Sequence, residues 1–243
     1  MPELKTEWIT LNVADGTTMR AYVTHPRDTD QHTGLLLYHE AFGVNAHIRD
    51  VAERLAREGF VTVAPELFHR TAPGFVAAYS EFEVAKPHVR ALTDQNMEVD
   101  VRAAYEWLHA EPGTQGRQIA CMGFCMGGRV TFLTNALLPV SAAISFYGGG
   151  IAPNRYGPGL LSRASDLHAP QLLFWGGLDT HIPPEQTRMV AESLRAVGKP
   201  FVNVEFSDAN HGFFCDARSS YNTYAARQAW ALVLTFLKLH NQL

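Results

Sequence analysis

The stretch Gly123-Phe124-Cys125-Met126-Gly127-Gly128 decides the fold. It follows a short apolar run, residues 118–122, and leads into the apolar-rich segment 129–133, an order that predicts a strand, a sharp turn and a helix. The pattern is G-x-C-x-G, the nucleophile-elbow motif with a thiol in place of the usual serine hydroxyl. Taken alone, the motif also fits a glycine-rich turn around a buried, inert cysteine, so the rest of the chain must decide.

The glycines of this stretch have a mechanical purpose. A sharp turn strains the backbone of Cys125, and flanking residues without a Cβ let the strand and the helix approach each other closely. The turn would hold the Cys125 side chain at the N-terminus of the following helix. There the positive end of the helix dipole favours a thiolate and a developing oxyanion. The stretch therefore predicts a cysteine placed for nucleophilic chemistry.

Length and composition are those of an ordinary globular protein. The chain has 243 residues and a formal net charge of −4 with neutral histidines. This predicts a single α/β domain over residues 1–243 and argues against nucleic acid as a partner. No apolar run approaches the roughly 20 residues that span a bilayer, and the N-terminus shows no apolar signal segment. We therefore expect no membrane association and a cytoplasmic location.

The chain has three cysteines, Cys121, Cys125 and Cys215. An odd and small number fits a reducing compartment without a disulfide framework. Cys121 and Cys125 lie along a predicted strand with Cα atoms about 13 Å apart at about 3.3 Å per residue, which is too far for a disulfide. No cluster of cysteines and histidines has zinc spacing, so we expect no metal.

Hydrophobic periodicity predicts the remaining elements. A hairpin with its turn at Ala14-Asp15-Gly16 opens the chain, and buried strands then alternate with helices. Predicted strands cover residues 7–13, 19–24, 33–38, 60–64, 118–122, 140–147, 170–175 and 201–206, and predicted helices cover about 45–59, 97–108, 189–197 and 221–239. This order predicts an α/β fold: a mostly parallel central sheet with an N-terminal antiparallel hairpin and helices on both faces.

The stretch from Glu66 to about Leu92 is the least regular part of the chain. It carries prolines, a glycine and four aromatic residues, which predicts a long connection with a short helix. The aromatic side chains either contact a substrate or merely pack the connection onto the domain.

Three polar residues each come just after a predicted strand: Cys125, Asp179 and His211. The carboxyl ends of parallel strands gather at one edge of a sheet, where functional groups are found. The chain order of nucleophile, acid and histidine is that of the α/β-hydrolase elbow enzymes. In such a triad the thiol attacks an acyl carbon, the histidine moves the proton, and the aspartate fixes the imidazole tautomer.

Other residues compete for two of these positions. His181 and His168 are alternative histidines, and Asp208 is an alternative acid. His211 is better placed because it follows the last strand and precedes a glycine. Asp208 lies only three residues before His211, which makes a separate orienting role less natural.

With these residues in place, the chain resembles the dienelactone hydrolases, the α/β-hydrolase family with a cysteine nucleophile. The resemblance extends from about residue 8 to residue 239. The segments that carry it are His39-Glu40-Ala41-Phe42-Gly43-Val44-Asn45, Ala64-Pro65-Glu66-Leu67-Phe68, the elbow stretch, Trp175-Gly176-Gly177-Leu178-Asp179 and His211-Gly212-Phe213.

The resemblance implies an α/β-hydrolase fold, no cofactor and a role for Glu40. In family members the equivalent glutamate contacts the resting thiol, and substrate binding shifts it so that the thiolate forms. Glu40 ends a predicted buried strand, where a carboxylate is costly unless it is paired; the alternative is a solvated loop glutamate. The backbone N–H groups of Ala41 and Met126 are implied as the oxyanion hole.

Substrate recognition is where the chain departs from the family pattern. Members that cleave dienelactone bind the substrate carboxylate with arginines, one of them four residues after the histidine, and this position is Cys215 here. Arg218 lies three residues further on and is an alternative ligand. Arg70 matches a family arginine, with a surface arginine as the alternative, and Arg90 is a further possibility. Phe42 completes the predicted substrate contacts.

The sequence therefore predicts a carboxymethylenebutenolidase-like hydrolase of small-molecule lactones or carboxylic esters. Cys125 would form a thioester acyl-enzyme, and the protein would be a monomer or a weak homodimer. One alternative is a general carboxylesterase or thioesterase with a different substrate. Another is a non-catalytic thiol-sensing or ligand-binding protein on the same scaffold, in which Cys215 would be the resolving thiol.

Overall fold

The structure is a computed structural model that describes residues 3–28, 30–155 and 157–241. The chain divides into two compact units, Met1–Ala120 and Cys121–Leu243. The single domain over residues 1–243 stays a prediction, which this division does not test.

The described residues of the first unit include four strands and three α-helices. Its strands are β1 (Leu4–Asn12), β2 (Thr18–Pro26), β3 (Thr33–Tyr38) and β4 (Phe60–Pro65), and its helices are α1 (Ala46–Arg57), α2 (Phe82–Ala91) and α3 (Asp94–Ala110). The strand order is β1-β2-β4-β3. The pairs β1/β2 and β2/β4 are antiparallel, whereas β3 and β4 are parallel. The predicted N-terminal hairpin is thereby confirmed.

Local sequence explains why these elements form. Every residue of β3 and β4 is buried, as a continuous apolar run requires when both faces of a strand are covered. Helix α1 begins after Asn45, whose side chain accepts a hydrogen bond from the Ile48 N–H at 3.2 Å. Asn45 is therefore the N-cap of α1, and it satisfies a backbone donor that the helix itself cannot.

The second unit contains the elbow and a wholly parallel set of strands. Its strands are β5 (Ile119–Phe124, which begins at the boundary), β6 (Ala143–Phe146), β7 (Gln171–Gly176) and β8 (Phe201–Phe206). They pair in the order β5-β6-β7-β8. The helices are α4 (Met126–Leu137), α5 (Pro184–Ala196) and α6 (Thr223–His240).

Among the predicted bounds, those of β6 and α5 need correction. Strand β6 has four residues, because pairing starts only at Ala143, not at residue 140. Helix α5 starts at Pro184, five residues before the predicted start at residue 189, since its polar first turn hides the apolar repeat. The irregular stretch contains α2, which holds Pro87 in its interior and buries only Ala85.

In the described part of the chain, no helix has both the length and the apolar character needed to cross a membrane.

Candidate active site

The elbow holds Cys125 in a strained backbone conformation. Cys125 follows the last residue of β5 and has φ 53° and ψ −116°, outside the regions that most residues prefer. Its N–H donates to the Phe146 carbonyl at 2.9 Å, and its carbonyl accepts from the Gly128 N–H at 3.0 Å as α4 begins. These bonds fix the half-buried Cys125 at the junction of strand and helix. A strained residue fixed in this way is typical of a functional site.

The elbow glycines are required by close packing. A Cβ on Gly123 would collide with the Gly127 carbonyl. A Cβ on Gly128 would lie 2.8 Å from the Gly148 Cα and 2.9 Å from the Phe146 carbonyl oxygen. Both partners are backbone atoms and cannot swing aside, so α4 can rest against β6 only with glycine at position 128.

Asp179 is positioned by a loop that packs tightly against the chain before His211. A Cβ on Gly176 would lie 2.6 Å from the Ala209 carbonyl oxygen, and the Leu178 N–H donates to that same oxygen at 2.9 Å. The two loops therefore approach within backbone contact. This contact explains how residues 32 positions apart in sequence meet through their side chains.

Both oxygens of the Asp179 carboxylate accept hydrogen bonds. Its Oδ1 accepts hydrogen bonds from the backbone N–H groups of His181 at 2.8 Å and Ile182 at 3.2 Å. Its Oδ2 lies 2.7 Å from the Nδ1 atom of His211. The carboxylate side chain is 2 % exposed, so the ion pair with the imidazole is shielded from solvent. The Nδ1–H of His211 donates to this carboxylate, which directs Nε2 to the opposite side.

His211 is also a hydrogen-bond partner of the Cys125 side chain. Burial by itself lowers the pKa of the imidazole, because it removes water from the charged form. The negative charge of a Cys125 thiolate and the hydrogen bonds of Asp179 and Cys125 outweigh this effect and raise the pKa of His211 to about 10. The second unit thus brings Cys125, His211 and Asp179 into one hydrogen-bonded chain, a geometry that can generate a thiolate and store its proton.

The competing residues have other positions. Asp208 is exposed and its Oδ2 accepts from the Asn222 side chain at 3.2 Å, at the start of α6. His168 is exposed, and its N–H donates to the Asn135 carbonyl at 3.0 Å. His181 is exposed and lies edge-on to the His211 ring, with centroids 5.3 Å apart. Of these competitors, only His181 contacts His211.

Three further predicted residues lie in the second unit. Met126 is the first residue of α4, so its N–H is at the positive end of the helix dipole. Cys215 is completely buried. Arg218 packs its guanidinium group onto Gly212, where a Cβ would collide with it. Arg218 therefore lies beside Gly212, the residue after His211. The Cys215 side chain is shielded from solvent.

Glu40 and Ala41 lie in the first unit, just after β3, and both are buried. The preceding residue, His39, orders this segment. Its Nδ1–H donates to the Glu40 carbonyl at 2.5 Å, and its Nε2 accepts from the Leu67 N–H at 3.2 Å. These two bonds define a neutral imidazole, and complete burial lowers the pKa of His39 to about 4. The roles of Glu40 and Ala41 stay predictions.

Arg70 is held by carboxylates of the first unit. Its Nη1 and Nη2 atoms donate to the two oxygens of Asp100 at 2.8 and 2.7 Å, and its Nε donates to Asp15 at 2.8 Å. Asp100 is fully buried and also lies 3.1 Å from the Nε2 of His69. This network holds the Arg70 side chain in place within the first unit. Its predicted contact with substrate stays a prediction. Arg90 is exposed near the end of α2.

Phe42 belongs to an aromatic cluster of the first unit. It is buried, and its ring lies 4.7 Å from Tyr79 and 6.3 Å from Phe82 in edge-to-face geometry. Gly43 follows it with φ 73° and packs against the Phe75 carbonyl. Aromatic residues of the irregular stretch therefore pack against the rest of the first unit, which is one of the two interpretations that the sequence allows. The substrate contact predicted for Phe42 remains untested.

Sequence reasoning missed Tyr147, which follows β6. Its ring lies 5.0 Å from the His211 ring, and it has φ 37°. The available signal was its place at the carboxyl end of a strand, directly before three glycines. A tyrosine at the end of a core strand is too common for that signal to be decisive.

An elbow after a parallel strand, with an acid and a histidine after later strands, defines the class of α/β-hydrolases. The sequence profile of the "Dienelactone hydrolase family" matches residues 19–241. The chain belongs to the dienelactone hydrolase family and is a carboxylic ester hydrolase.

Individual relatives agree with this assignment. The chain is 35 % identical over 219 residues to a Synechocystis sp. protein named "Putative carboxymethylenebutenolidase", covering 87 % of this chain and 88 % of the relative. It is 28 % identical over 236 residues to the carboxymethylenebutenolidase of Pseudomonas putida, covering 96 % of each. A solved structure titled "Putative Dienelactone Hydrolase" from Klebsiella pneumoniae superimposes with a TM-score of 0.87 at 28 % identity, covering 96 % of this chain and 98 % of that one. The predicted fold class is thereby confirmed.

Proposed function

We propose that the protein hydrolyses lactones or carboxylic esters through a thioester acyl-enzyme on Cys125. The observation that carries the proposal is the His211 imidazole, which is hydrogen-bonded to Asp179 on one side and to Cys125 on the other. The strained elbow supports it, because a residue in this conformation is retained where function requires it.

The first half-reaction forms the thioester. His211 Nε2 takes the thiol proton, and the Cys125 sulfur attacks the acyl carbon of the ester to give a tetrahedral oxyanion. The Met126 N–H, at the start of α4, is the proposed donor to this oxyanion. The C–O bond to the leaving group then breaks, and the imidazolium of His211 gives its proton to the leaving oxygen.

The second half-reaction regenerates the enzyme. Once the alcohol of an ester has left, or the ring of a lactone has opened, water reaches the thioester, and His211 accepts a proton from it as the water oxygen attacks the thioester carbon. The new tetrahedral intermediate expels the Cys125 sulfur, which takes the proton back from the His211 imidazolium as the carboxylic acid product is released. Asp179 keeps the Nδ1–H tautomer throughout and stabilises the imidazolium in both half-reactions.

The nucleophile limits the substrate class. A thiolate is a weaker base than an alkoxide, so a tetrahedral intermediate tends to expel the sulfur unless the departing oxygen is protonated or is itself a weak base. Enols and phenols are such leaving groups. We therefore propose enol lactones and aryl esters as better substrates than simple alkyl esters.

A general carboxylesterase is the second candidate. Cys215 stands where dienelactone-cleaving relatives are expected to have an arginine, and it is buried. Arg70 already donates to Asp100 and Asp15. Arg218 supports the other candidate, dienelactone. Its guanidinium packs on Gly212, next to His211, and could bind a substrate carboxylate. The ratio of activity on dienelactone to activity on a neutral aryl ester separates the two candidates.

The experiment compares dienelactone with p-nitrophenyl acetate, both followed by ultraviolet absorbance. We expect Cys125→Ala to lower kcat/KM by about 10³-fold or more on any hydrolysed substrate, because the acyl-enzyme cannot form. Cys121→Ala is the matched control: it removes a buried thiol from the same strand and should keep the rate. Mass spectrometry of the quenched parent enzyme should show one acyl group on Cys125. Full activity in Cys125→Ala would refute the proposal.

A further inference from the structure

Two residues have a positive φ, which is unusual for residues other than glycine. Within residues 3–28, 30–155 and 157–241, the non-glycine residues with positive φ are Cys125 at 53° and Tyr147 at 37°. Each directly follows a strand, β5 and β6 respectively, and these two strands are parallel neighbours in the second unit. A tyrosine in this region is strained by about 1–3 kcal/mol and persists only where its surroundings hold it.

The surroundings of Tyr147 do hold its backbone. Its N–H donates to the Phe174 carbonyl of β7 at 2.8 Å. The next residue, Gly148, is packed so closely that a Cβ there would lie 2.9 Å from the Ile151 side chain and 3.0 Å from the Gly128 carbonyl carbon. The chain after β6 therefore cannot relax without disturbing α4. Glycine or asparagine would adopt this conformation with less strain than tyrosine, so the tyrosine side chain itself needs an explanation.

The explanation lies in what the Tyr147 ring contacts. The side chain is completely buried, and its ring centroid lies 5.0 Å from the His211 imidazole with an interplanar angle of 58°. On another side it meets Phe213 edge-on, with centroids 5.3 Å apart and an angle of 73°. Phe213 is itself completely buried. The buried Tyr147 ring thus contacts both a buried phenylalanine and the imidazole.

Three other residues contact the His211 side chain: Asp179, Cys125 and His181. Asp179 bonds Nδ1, and Cys125 is the second hydrogen-bond partner. His181 is itself exposed, and its ring lies edge-on to the imidazole with centroids 5.3 Å apart. Hydrogen bonds at two nitrogens still allow an imidazole to rock about the line that joins them. A completely buried ring whose centroid lies 5.0 Å from that of the imidazole restricts this motion.

We propose that Tyr147 is a positioning residue, whose ring holds the His211 imidazole in the orientation that links Asp179 to Cys125. The proposal rests on the proposed role of His211 as the proton carrier. The proposal gives a function to the strain at the end of β6. The Phe146 carbonyl accepts the hydrogen bond from the Cys125 N–H, and the next residue, Tyr147, places its ring against His211.

The test compares Tyr147→Phe, which keeps the ring, with Tyr147→Leu, which keeps an apolar side chain without it. On p-nitrophenyl acetate we expect kcat of Tyr147→Phe within about threefold of the parent. We expect kcat of Tyr147→Leu to fall about 10–100-fold with little change in KM, since small misplacements of a catalytic group cost about this much. Thermal unfolding of each variant, measured at the assay pH, establishes that the assayed protein is folded.

A second readout reports on the imidazole without using activity. In protein labelled with ¹⁵N-histidine, the proton on Nδ1 of His211 should give a downfield NMR resonance, identified by its loss in His211→Asn. We expect this resonance to persist in Tyr147→Phe and to broaden or move upfield in Tyr147→Leu. Should Tyr147→Leu fail to fold, Tyr147→Met serves in its place, because methionine fills irregular apolar space.

The outcomes separate the two proposals. An unchanged kcat and resonance in folded Tyr147→Leu would overturn the positioning role and leave the proposed function intact. Loss of activity in Tyr147→Phe as severe as in Tyr147→Leu would overturn it too, since the hydroxyl and not the ring would then be the active group. Activity retained in Cys125→Ala would instead overturn the proposed function, whereas the resonance would still report on Tyr147.

Discussion

At the residue scale, the charge of His211 is decided by opposing effects. Burial lowers the pKa of the imidazole, and the charge on Cys125 together with the Asp179 hydrogen bond raises it to about 10. Pairing wins because both partners contact the ring directly while water is excluded. The proposed mechanism needs this result, since the imidazolium must survive until it can protonate the leaving oxygen.

Replacing Asp179 by asparagine should remove part of that stabilisation. The protonated imidazole is the form that donates, so kcat/KM of the parent should fall as the pH rises through about 10. In Asp179→Asn the carboxylate charge is gone, and we expect this alkaline limb to move to lower pH. We also expect kcat to fall about 10²–10⁴-fold, because the imidazole tautomer is no longer fixed. Rates from pH 6 to pH 10.5, corrected for uncatalysed hydrolysis, test both.

Asp208→Asn is the matched control for this prediction. It removes a carboxylate three residues from His211 that bonds Asn222 instead of the imidazole. Its alkaline limb and kcat should match those of the parent. If the alkaline limb of the pH–rate profile moved in Asp208→Asn and not in Asp179→Asn, Asp208 and not Asp179 would be the acid that stabilises the imidazolium.

At the scale of elements, the elbow is built by backbone contact between β5, β6 and α4. The sequence predicts it well because its causes are local: six consecutive residues contain the turn, the glycines and the nucleophile. Arg70 shows the opposite case. Its main partner, Asp100, lies 30 residues further along the chain on α3, and no local pattern links the two residues. Tyr147 likewise acts on a residue that only the fold brings near.

Substituting alanine for Gly128 should separate α4 from β6. The new Cβ would meet the Gly148 Cα at 2.8 Å and the Phe146 carbonyl at 2.9 Å, and neither can move independently of the backbone. We expect a loss of about 1–3 kcal/mol in the free energy of unfolding, as for other overpacked sites. Because Phe146 also holds the Cys125 N–H, kcat should fall as well. Urea unfolding and the ester assay measure the two effects.

Gly116→Ala is a control from a glycine with open space around it. It has φ 74°, and nothing lies within 4 Å of the position of a Cβ. Its cost is backbone strain alone, with kcat unchanged. Equal kcat losses in Gly116→Ala and Gly128→Ala would contradict the contact explanation.

At the scale of the whole molecule, two buried histidines give the stability opposite dependences on pH. The pKa of His39 in the folded state, about 4, lies below the usual 6.5. The unfolded chain therefore binds the extra proton first, and stability falls as the pH drops from about 6.5 to about 4. His211 has a raised pKa, so its contribution is complete below pH 6.5 and is lost as the pH rises through about 10. The summed contribution of these two histidines to stability is therefore largest near pH 6.5.

His39→Gln isolates the acid side of this dependence. Glutamine can donate to the Glu40 carbonyl and accept from the Leu67 N–H, as the neutral imidazole does, and it does not titrate. Between pH 6.5 and pH 4 the parent should lose about 3 kcal/mol more unfolding free energy than the variant. Urea unfolding at several pH values provides the measurement. Parallel curves for parent and variant would show that His39 is not the responsible group.

The fold as a whole was predictable from the order of elements, whereas the substrate contacts were not. Alternating buried strands and helices leave few arrangements, and the hairpin at the start is marked by its turn residues. Substrate contacts depend on where long side chains end. Phe42 packs on Tyr79 and Arg70 on Asp100, and neither contact has a signature in the spacing of residues.

The three cysteines of the second unit differ in burial, so their reaction rates can report the opening of this unit. Cys121 and Cys215 are completely enclosed, and burial raises the pKa of Cys121 further, while Cys125 alone is partly accessible. A thiol reagent added to the native protein should therefore consume one equivalent quickly and two more only as the chain opens. When Cys125 is blocked first, the rate at which Cys121 and Cys215 react measures how fast this unit opens. No label has to be introduced.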